Sequence, residues 1–233
     1  YSMIGDGLSH VGFGALAIAA VMNWAPMAVA VPVVIAAAFL LLRISGSSKI
    51  KGDSAIALIS TGALAIGVMA VSLSGMNSDL DSYLFGSIYA ISDEDVVISV
   101  VLALLVLILF VFFYTRIFAI TFDESFARAT GVKVGLYNTI LSVLTALTIV
   151  LGMRMMGAML ISSLVIFPAL TAMTLLRSFR GVVICAAGLS VVCFCVGLTG
   201  SYLWGTPVGA TVVLVNLAAF LLSRGVMKLK RAS

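Results

Sequence analysis

Charged residues are scarce in this chain. They make up 9% of its 233 residues, 13 of them basic and 9 acidic, while 63% of the residues are hydrophobic; a typical soluble domain is roughly 25% charged. This composition excludes a soluble globular fold. It also excludes a nucleic-acid-binding protein, because the few basic residues lie in short segments between apolar runs. At about 20 residues per membrane span, residues 1–233 can form one polytopic transmembrane domain, with no room for a second domain.

Cysteine is rare as well. Cys185, Cys193 and Cys195 lie in one apolar stretch, and the last two are two residues apart, so they point to nearly opposite faces of a helix. We interpret them as small packing residues of a membrane helix. A reactive or ligand role is the alternative.

Long apolar runs are abundant, and they predict eight helical segments. The fifth and sixth are separated only by residues 152–154, so one of the two is expected to be a partial or re-entrant helix. The chain opens at Tyr1 on a polar cluster without a basic leader, which predicts that the visible sequence begins within a longer protein. The eight segments are 5–22, 27–42, 54–73, 96–118, 137–152, 157–176, 182–200 and 208–222.

The connections between segments differ in charge on the two sides of the membrane. One side carries 12 of the 13 basic residues, and the other carries only Arg154 together with five of the nine acids. Because cytoplasmic loops of membrane proteins are enriched in Lys and Arg, we predict that the basic side and the C-terminus are cytoplasmic. The five outer acids are Asp79, Asp81, Asp93, Glu94 and Asp95.

The outer connection is too long for a simple turn. Its apolar stretch 83–91 is bounded by acids and predicts a short surface helix within the acidic loop 79–95. Such a helix either gates a central cavity or only anchors tyrosines at headgroup depth. Asp79, Asp81, Phe85 and Arg154 are therefore candidates for an outer gate. Arg154 has two other interpretations, because it can extend to the lipid headgroups or pair with an outer acid.

One acid lies inside an apolar segment, and the single histidine follows it four residues later. The i, i+4 spacing places Asp6 and His10 on one helix face, at a depth where an ionised group needs water, a partner or an ion. Three interpretations remain open: a structural pair, a proton relay or a divalent-metal site. We favour the metal site, because carboxylate and imidazole together suit zinc, manganese and iron. Two ligands leave the site incomplete, as expected of a transit site, and glycines 5, 7, 12 and 14 let neighbouring backbone approach.

The cytoplasmic connection 122–135 predicts a short amphipathic helix that ends at a glycine. Asp123 and Glu124 fall in its first turn, where the helix dipole favours acids, and Arg128 follows Glu124 at i+4. We interpret residues 123–135 as a docking element. A surface helix lying on the headgroups is the alternative.

These motifs resemble the membrane permeases of bacterial zinc, manganese and iron ABC importers, which are related to the vitamin B12 and siderophore permeases. Residues 5–10 are similar to the family's G-D-A-x-S-H signature, with Gly7 where alanine is usual, and residues 84–88 to its outer L-F-G stretch. Residues 122–135 resemble its coupling loop, with Ala127 and Gly131 matching A-x-x-x-G. Residues 156–172 and 205–210 resemble its V-G-x-L-L…P-A-x-T-A helix and its final G-x-P-x-G turn.

The resemblance covers nearly the whole chain and implies an all-α, polytopic transmembrane bundle of the type II ABC importer kind, with eight visible helices and one more expected before Tyr1. It implies a homodimer in the bacterial inner membrane, two cytoplasmic ATPase subunits and an extracytoplasmic metal-binding protein. It assigns Asp6 and His10 to a transported Mn, Zn or Fe ion, with no permanently bound cofactor. The ATPase-coupling residues it implies are Asp123, Glu124, Phe126, Ala127, Arg128 and Gly131.

We therefore predict a transport subunit that is not itself an enzyme, since the chain has no phosphate-binding glycine loop. A secondary metal transporter driven by an ion gradient and a cobalamin or siderophore ABC permease are the alternatives. An intramembrane metallohydrolase is a weaker one, because the sequence contains no H-E-x-x-H motif.

Overall fold

The computed structural model describes residues 2–45, 52–75 and 92–232, and within these ranges the chain forms helices and turns without a strand. The predicted all-α architecture is confirmed. In chain order the helices are α1 (Ser2–Val21), α2 (Pro26–Ser45), α3 (Gly52–Ser74), α4 (Asp93–Phe112), α5 (Tyr114–Phe122), α6 (Glu124–Ala129), α7 (Val134–Met156), α8 (Ala158–Leu175), α9 (Phe179–Trp204) and α10 (Val208–Ala232).

Eight helices of the described part are long and apolar enough to cross a membrane, namely all except α5 and α6. They match the eight predicted segments in order, so the chain is a multi-pass membrane protein. The expectation of a partial or re-entrant helix is not borne out, because α7 has 23 residues and α8 has 18. At about 1.5 Å per residue, even the shorter helix is about 27 Å long.

The fourth predicted segment, 96–118, is divided in the structure. Helix α4 ends at Phe112, and α5 begins at Tyr114 after a break at Phe113. The break turns α5 so that Ile117 and Ile120 are buried. Apolar periodicity could not reveal it, because the residues on both sides of Phe113 are apolar.

Helix α1 lies at the centre of the bundle and contacts α2, α3, α7 and α8. Leu8, Phe13 and Leu16 are almost completely buried among apolar residues of these neighbours. A helix that is apolar on nearly all sides is expected in such a position. The polar residues of α1 are therefore held in position by the helices that pack around it.

Helices α7 and α8 are joined by one residue. Gly157 has φ 84° and ψ 158°, a conformation that is essentially restricted to glycine. It lets the chain reverse with no further linker, so the beginning of α8 is fixed to the end of α7. This turn falls in residues 156–172, one of the stretches that carried the family resemblance.

The prediction that Cys193 and Cys195 point to different faces of a helix agrees with the structure. Cys193 is buried in α9, whereas Cys195 is exposed. All three thiols are free, so none contributes a disulfide.

Candidate functional site

Asp6 and His10 lie on the same face of α1, as their spacing predicts. The distance from Asp6 Oδ2 to His10 Nε2 is 3.9 Å, and the two side chains are 40% and 33% exposed. The two side chains are therefore accessible from one side, although the helix that carries them is central. Both side chains line one wall of a cavity of about 370 Å³.

The opposite wall of the cavity comes mainly from α8. Its lining residues recur at helical spacing, so a single face of α8 is directed towards Asp6 and His10. Val213 of α10 completes the lining. The α8 residues are Ala158, Met159, Ser162, Ser163, Ile166 and Phe167.

Serine hydroxyls connect α1 to α8 beside the acidic group. Ser9 is fully buried, and its Oγ donates to the Asp6 carbonyl oxygen at 2.7 Å. It also lies 2.8 Å from Ser162 Oγ. This bond fixes the rotational position of α1 against α8, and with it the direction in which Asp6 and His10 point.

The cavity wall carries two side chains of the types that bind divalent cations, the Asp6 carboxylate and the His10 imidazole. When two ligand atoms each lie about 2.1 Å from one ion in tetrahedral or octahedral geometry, they are about 3.0–3.4 Å from each other. Asp6 Oδ2 and His10 Nε2 are 3.9 Å apart, so they would have to approach by less than 1 Å to share an ion. No group of three or more His, Cys, Asp or Glu side chains that could hold a metal occurs within the described residues. The remaining donors at this wall are hydroxyls and the Met159 thioether.

Helix α1 is positioned on its other side by close contact with α3. A Cβ atom on Gly14 would lie 2.5 Å from the Ala63 carbonyl oxygen, and one on Gly67 would lie 2.8 Å from Gly14 Cα. The expected approach of neighbouring backbone is thus found at Gly14. At Gly7 the neighbour is a side chain, since a Cβ there would lie 2.7 Å from Ile56 Cγ2.

Arg154 pairs with an outer acid. Its Nη1 lies 3.1 Å from Oδ1 of Asp95, whose side chain is 5% exposed. Asp95 also accepts hydrogen bonds from the Oγ and backbone N–H of Ser92, forming a capping box at the start of α4. Of the interpretations of Arg154, pairing with an acid is the one that the structure contains. The other gate candidates, Asp79, Asp81 and Phe85, and the expected surface helix lie outside the described residues.

The segment predicted to be a cytoplasmic docking element contains helix α6. Asp123 is its N-cap and accepts from the backbone N–H of Phe126 at 2.9 Å, so the helix starts one residue later than predicted. It ends at Ala129, so the prediction of a helix over 123–135 is wrong at its C-terminal end, where Val134 already begins α7. Arg128 donates to Glu124 Oε1 at 2.6 Å. Phe126 is exposed, whereas Ala127 is fully buried.

Helix α6 packs against an apolar cluster, and the chain turns immediately after the helix. Ala127 packs in one cluster with Ile120, Val132 and Val134, so α6 contacts both α5 and α7. Gly131 follows the helix with φ 83°, consistent with a glycine terminating it.

Sequence reasoning missed the serines at the cavity wall. Ser162 and Ser163 appear in the sequence only as two small polar residues in an apolar segment, a pattern that is common at packed faces of membrane helices. Their closeness to Asp6 and His10 depends on how α1 and α8 pack, which spacing along the chain does not reveal.

The chain is similar to known metal permeases over nearly its whole length. It is 30% identical over 222 residues to the manganese import system permease protein ScaB of Streptococcus gordonii, covering 95% of this chain and 80% of that protein. It is 30% identical over 220 residues to the high-affinity zinc uptake system membrane protein ZnuB of Haemophilus influenzae, covering 94% and 84%. A probable iron transport system membrane protein of Haemophilus influenzae is 28% identical over 233 residues, covering 99% and 85%.

The fold is also that of a solved transporter structure. PsaBC from Streptococcus pneumoniae in complex with Fab matches with a TM-score of 0.82 and 30% sequence identity, over 95% of this chain and 80% of that chain. The ABC 3 transport family matches residues 1–227. With eight apolar helices among its described residues, this chain belongs to the ABC 3 transport family and is a membrane permease of the metal ABC transporter type.

Proposed function

We propose that the chain is the membrane subunit of an ATP-driven importer that carries Mn²⁺, Zn²⁺ or Fe²⁺ into the cytoplasm by alternating access around Asp6 and His10. The observation that supports this most directly is the single carboxylate–imidazole pair on the central helix, open to a cavity. An unpaired charge at that depth costs about 2.5–3.5 kcal/mol. A divalent cation that binds there would offset this cost and would need to close the pair only slightly.

The proposed assembly has two copies of this chain, two cytoplasmic ATPase subunits and an extracytoplasmic binding protein that delivers the metal. The open side of the cavity suits a second copy, since the described part of one chain supplies only two strong ligands. The proposed orientation places the C-terminus in the cytoplasm. It is favoured by the 12 basic residues in those connections that the sequence assigns to one side of the membrane.

Coupling is proposed to occur through α6. Its exposed Phe126 and its exposed Glu124–Arg128 pair would contact an ATPase subunit, while the buried Ala127 would transmit movement to α5 and α7. At the outer end, Arg154 with Asp79, Asp81 and Phe85 is proposed to control entry. The proton-relay interpretation of Asp6 and His10 is less favoured, because the cavity is lined by no further titratable side chain from the described part of the chain.

Uptake of metal by the reconstituted transporter tests the proposal. Asp6→Ala and His10→Ala should each abolish ATP-dependent uptake of Mn²⁺, Zn²⁺ and Fe²⁺ into vesicles, while the complex still assembles. Asp53→Ala is the matched control, because Asp53 is an exposed acid in the first turn of α3 and does not line the cavity. Normal uptake by both site variants would contradict the proposal.

A further inference from the structure

Two buried polar atoms at the wall of the metal cavity have no hydrogen-bond partner among the described protein atoms. They are His10 Nδ1 and Ser163 Oγ. Two other such atoms, Asn138 Oδ1 and Ser142 Oγ, belong to residues that do not line this cavity. Since buried polar groups in proteins are nearly always paired, the presence of both atoms at one wall calls for a common explanation.

The chemistry of imidazole specifies what His10 needs. Nε2 is the ring nitrogen directed towards Asp6 Oδ2, so it is the one placed to share an ion with the carboxylate. A neutral imidazole that binds metal through Nε2 must carry its proton on Nδ1. That buried N–H then requires an acceptor, and metal-binding histidines almost always have one.

Ser163 is the residue placed to provide it. Its side chain lies on the α8 face that lines the cavity, and the residue is only 4% exposed. The preceding Ser162 is held by Ser9 at 2.8 Å, which fixes the register of α8 against the helix that carries His10. A hydroxyl can accept one hydrogen bond while it donates another, so it can accept from Nδ1 directly after a rotation of the side chain or through one water.

We infer that Ser163 is a positioning residue for the metal site: its hydroxyl accepts a hydrogen bond from the Nδ1–H of His10 and so keeps Nε2 free to bind the transported cation. The inference rests on the proposed function of Asp6 and His10 and assigns a further residue to that site. Loss of such an outer partner typically lowers metal affinity by about 10–100-fold. The lower affinity should appear in metal binding, because Ser163 acts on the metal-binding side chain of His10 and has no part in coupling to ATP.

The experiment compares Ser163→Ala, Ser163→Thr and Ser142→Ala in the purified transporter. Ser142 is the matched control, since its hydroxyl is equally buried and unpaired but lies on α7 away from the cavity. Binding of Mn²⁺ and of Zn²⁺ is measured by calorimetry, and uptake gives KM and kcat. Removing the unpaired Ser142 hydroxyl leaves no partner unsatisfied, so Ser142→Ala should fold with an unchanged thermal midpoint. Ser163→Ala should fold as well, because His10 can carry its proton on Nε2 when Nδ1 has no acceptor.

A second readout uses the fact that His10 is the only histidine of the chain. In a ¹⁵N-histidine-labelled full chain, the imidazole nitrogens give one set of signals that reports the tautomer directly. The wild-type chain and Ser163→Thr should show the proton on Nδ1. Ser163→Ala should shift the population towards the Nε2–H form, which a purely structural role of Ser163 would not do.

The expected result is a 10–100-fold weaker affinity and higher KM for Ser163→Ala with kcat nearly unchanged, recovery in Ser163→Thr and no change in Ser142→Ala. Wild-type affinity and an unchanged tautomer in Ser163→Ala would overturn the inference. If His10→Ala abolishes uptake while Ser163→Ala is normal, only this inference fails. If His10→Ala itself transports normally, the proposed function fails.

Discussion

The contact between α1 and α3 leaves no space for a side chain at Gly14, and Gly14→Ala should therefore destabilise the bundle. The new Cβ would lie 2.5 Å from the carbonyl oxygen of Ala63, whereas ordinary contacts begin at 3.4 Å. The obstructing atom belongs to the backbone and cannot rotate away. One helix must move by about 0.9 Å relative to the other, as the difference between these distances requires.

The size of the effect follows from two opposing contributions. Forcing an extra methyl group into a packed interior costs about 1–3 kcal/mol, and the rigid neighbour places Gly14 at the upper part of this range. Alanine favours the helical conformation over glycine by about 1 kcal/mol. The free energy of unfolding should therefore fall by about 1–2 kcal/mol, as the difference between the two contributions.

Gly62→Ala provides the matched control in the adjacent helix. Gly62 also lies in the interior of a helix, but nothing lies within 4 Å of a Cβ built on it, so this variant should be neutral or more stable by up to about 1 kcal/mol. Denaturant unfolding in detergent micelles measures both variants. Because α1 carries His10, Gly14→Ala should also weaken metal binding, whereas Gly62→Ala should not.

Equal unfolding free energies for Gly14→Ala and Gly62→Ala would refute this reasoning. A loss of stability in Gly14→Ala with unchanged metal binding would mean that α1 adjusts without moving the site. The first result would concern the packing of α1 on α3, and the second would concern only its connection to function.

Three further outcomes follow from other contacts. Gly7→Ala should destabilise the protein by about 1 kcal/mol through overpacking, and the double variant Gly7→Ala/Ile56→Ala should lose less stability than the sum of the single variants in a double-mutant cycle. Replacing Glu124 and Arg128 by alanine should leave the thermal midpoint unchanged, because both side chains are largely exposed, but ATP hydrolysis should continue without metal uptake. Arg154→Gln should lower the thermal midpoint, since it removes the cation beside a carboxylate that is 5% exposed, whereas Arg154→Lys should retain most of the stability.

The architecture could be predicted from the sequence because each membrane span leaves a strong local signal. A run of about 20 apolar residues is visible without knowledge of its neighbours, so all eight spans were found in order. The break at Phe113 and the single-residue turn at Gly157 were not predicted. Both depend on which side chains pack together after the helices have associated.

The candidate site was predictable in part for the same reason. Asp6 and His10 are four residues apart on one helix, so local geometry already places them together, and the structure has them 3.9 Å apart. Ser162 and Ser163 lie more than 150 positions further along the chain, and only the packing of α8 against α1 brings them to the cavity. The side chain of Ile56 occupies the space beside Gly7, so an alanine at this position of the motif would require Ile56 to move, which spacing along the chain does not reveal.

Because α7 and α8 are connected by the single residue Gly157, a movement of α7 along its axis is transmitted directly to α8. Helix α7 begins two residues after Val132, which belongs to the apolar cluster that contacts α6. It has 23 residues and is about 34 Å long at 1.5 Å per residue, and α8 follows it. A longer linker could change conformation and so absorb an axial displacement of α7. A single glycine is too short to do so. If α7 shifted along its axis by about 1–2 Å at its Val134 end, the usual size of a helix shift, the displacement would therefore reach the cavity wall nearly undiminished. The hydroxyls and the thioether of α8 would then move past Asp6 and His10, and the ion would experience a different set of neighbours at each end of the stroke.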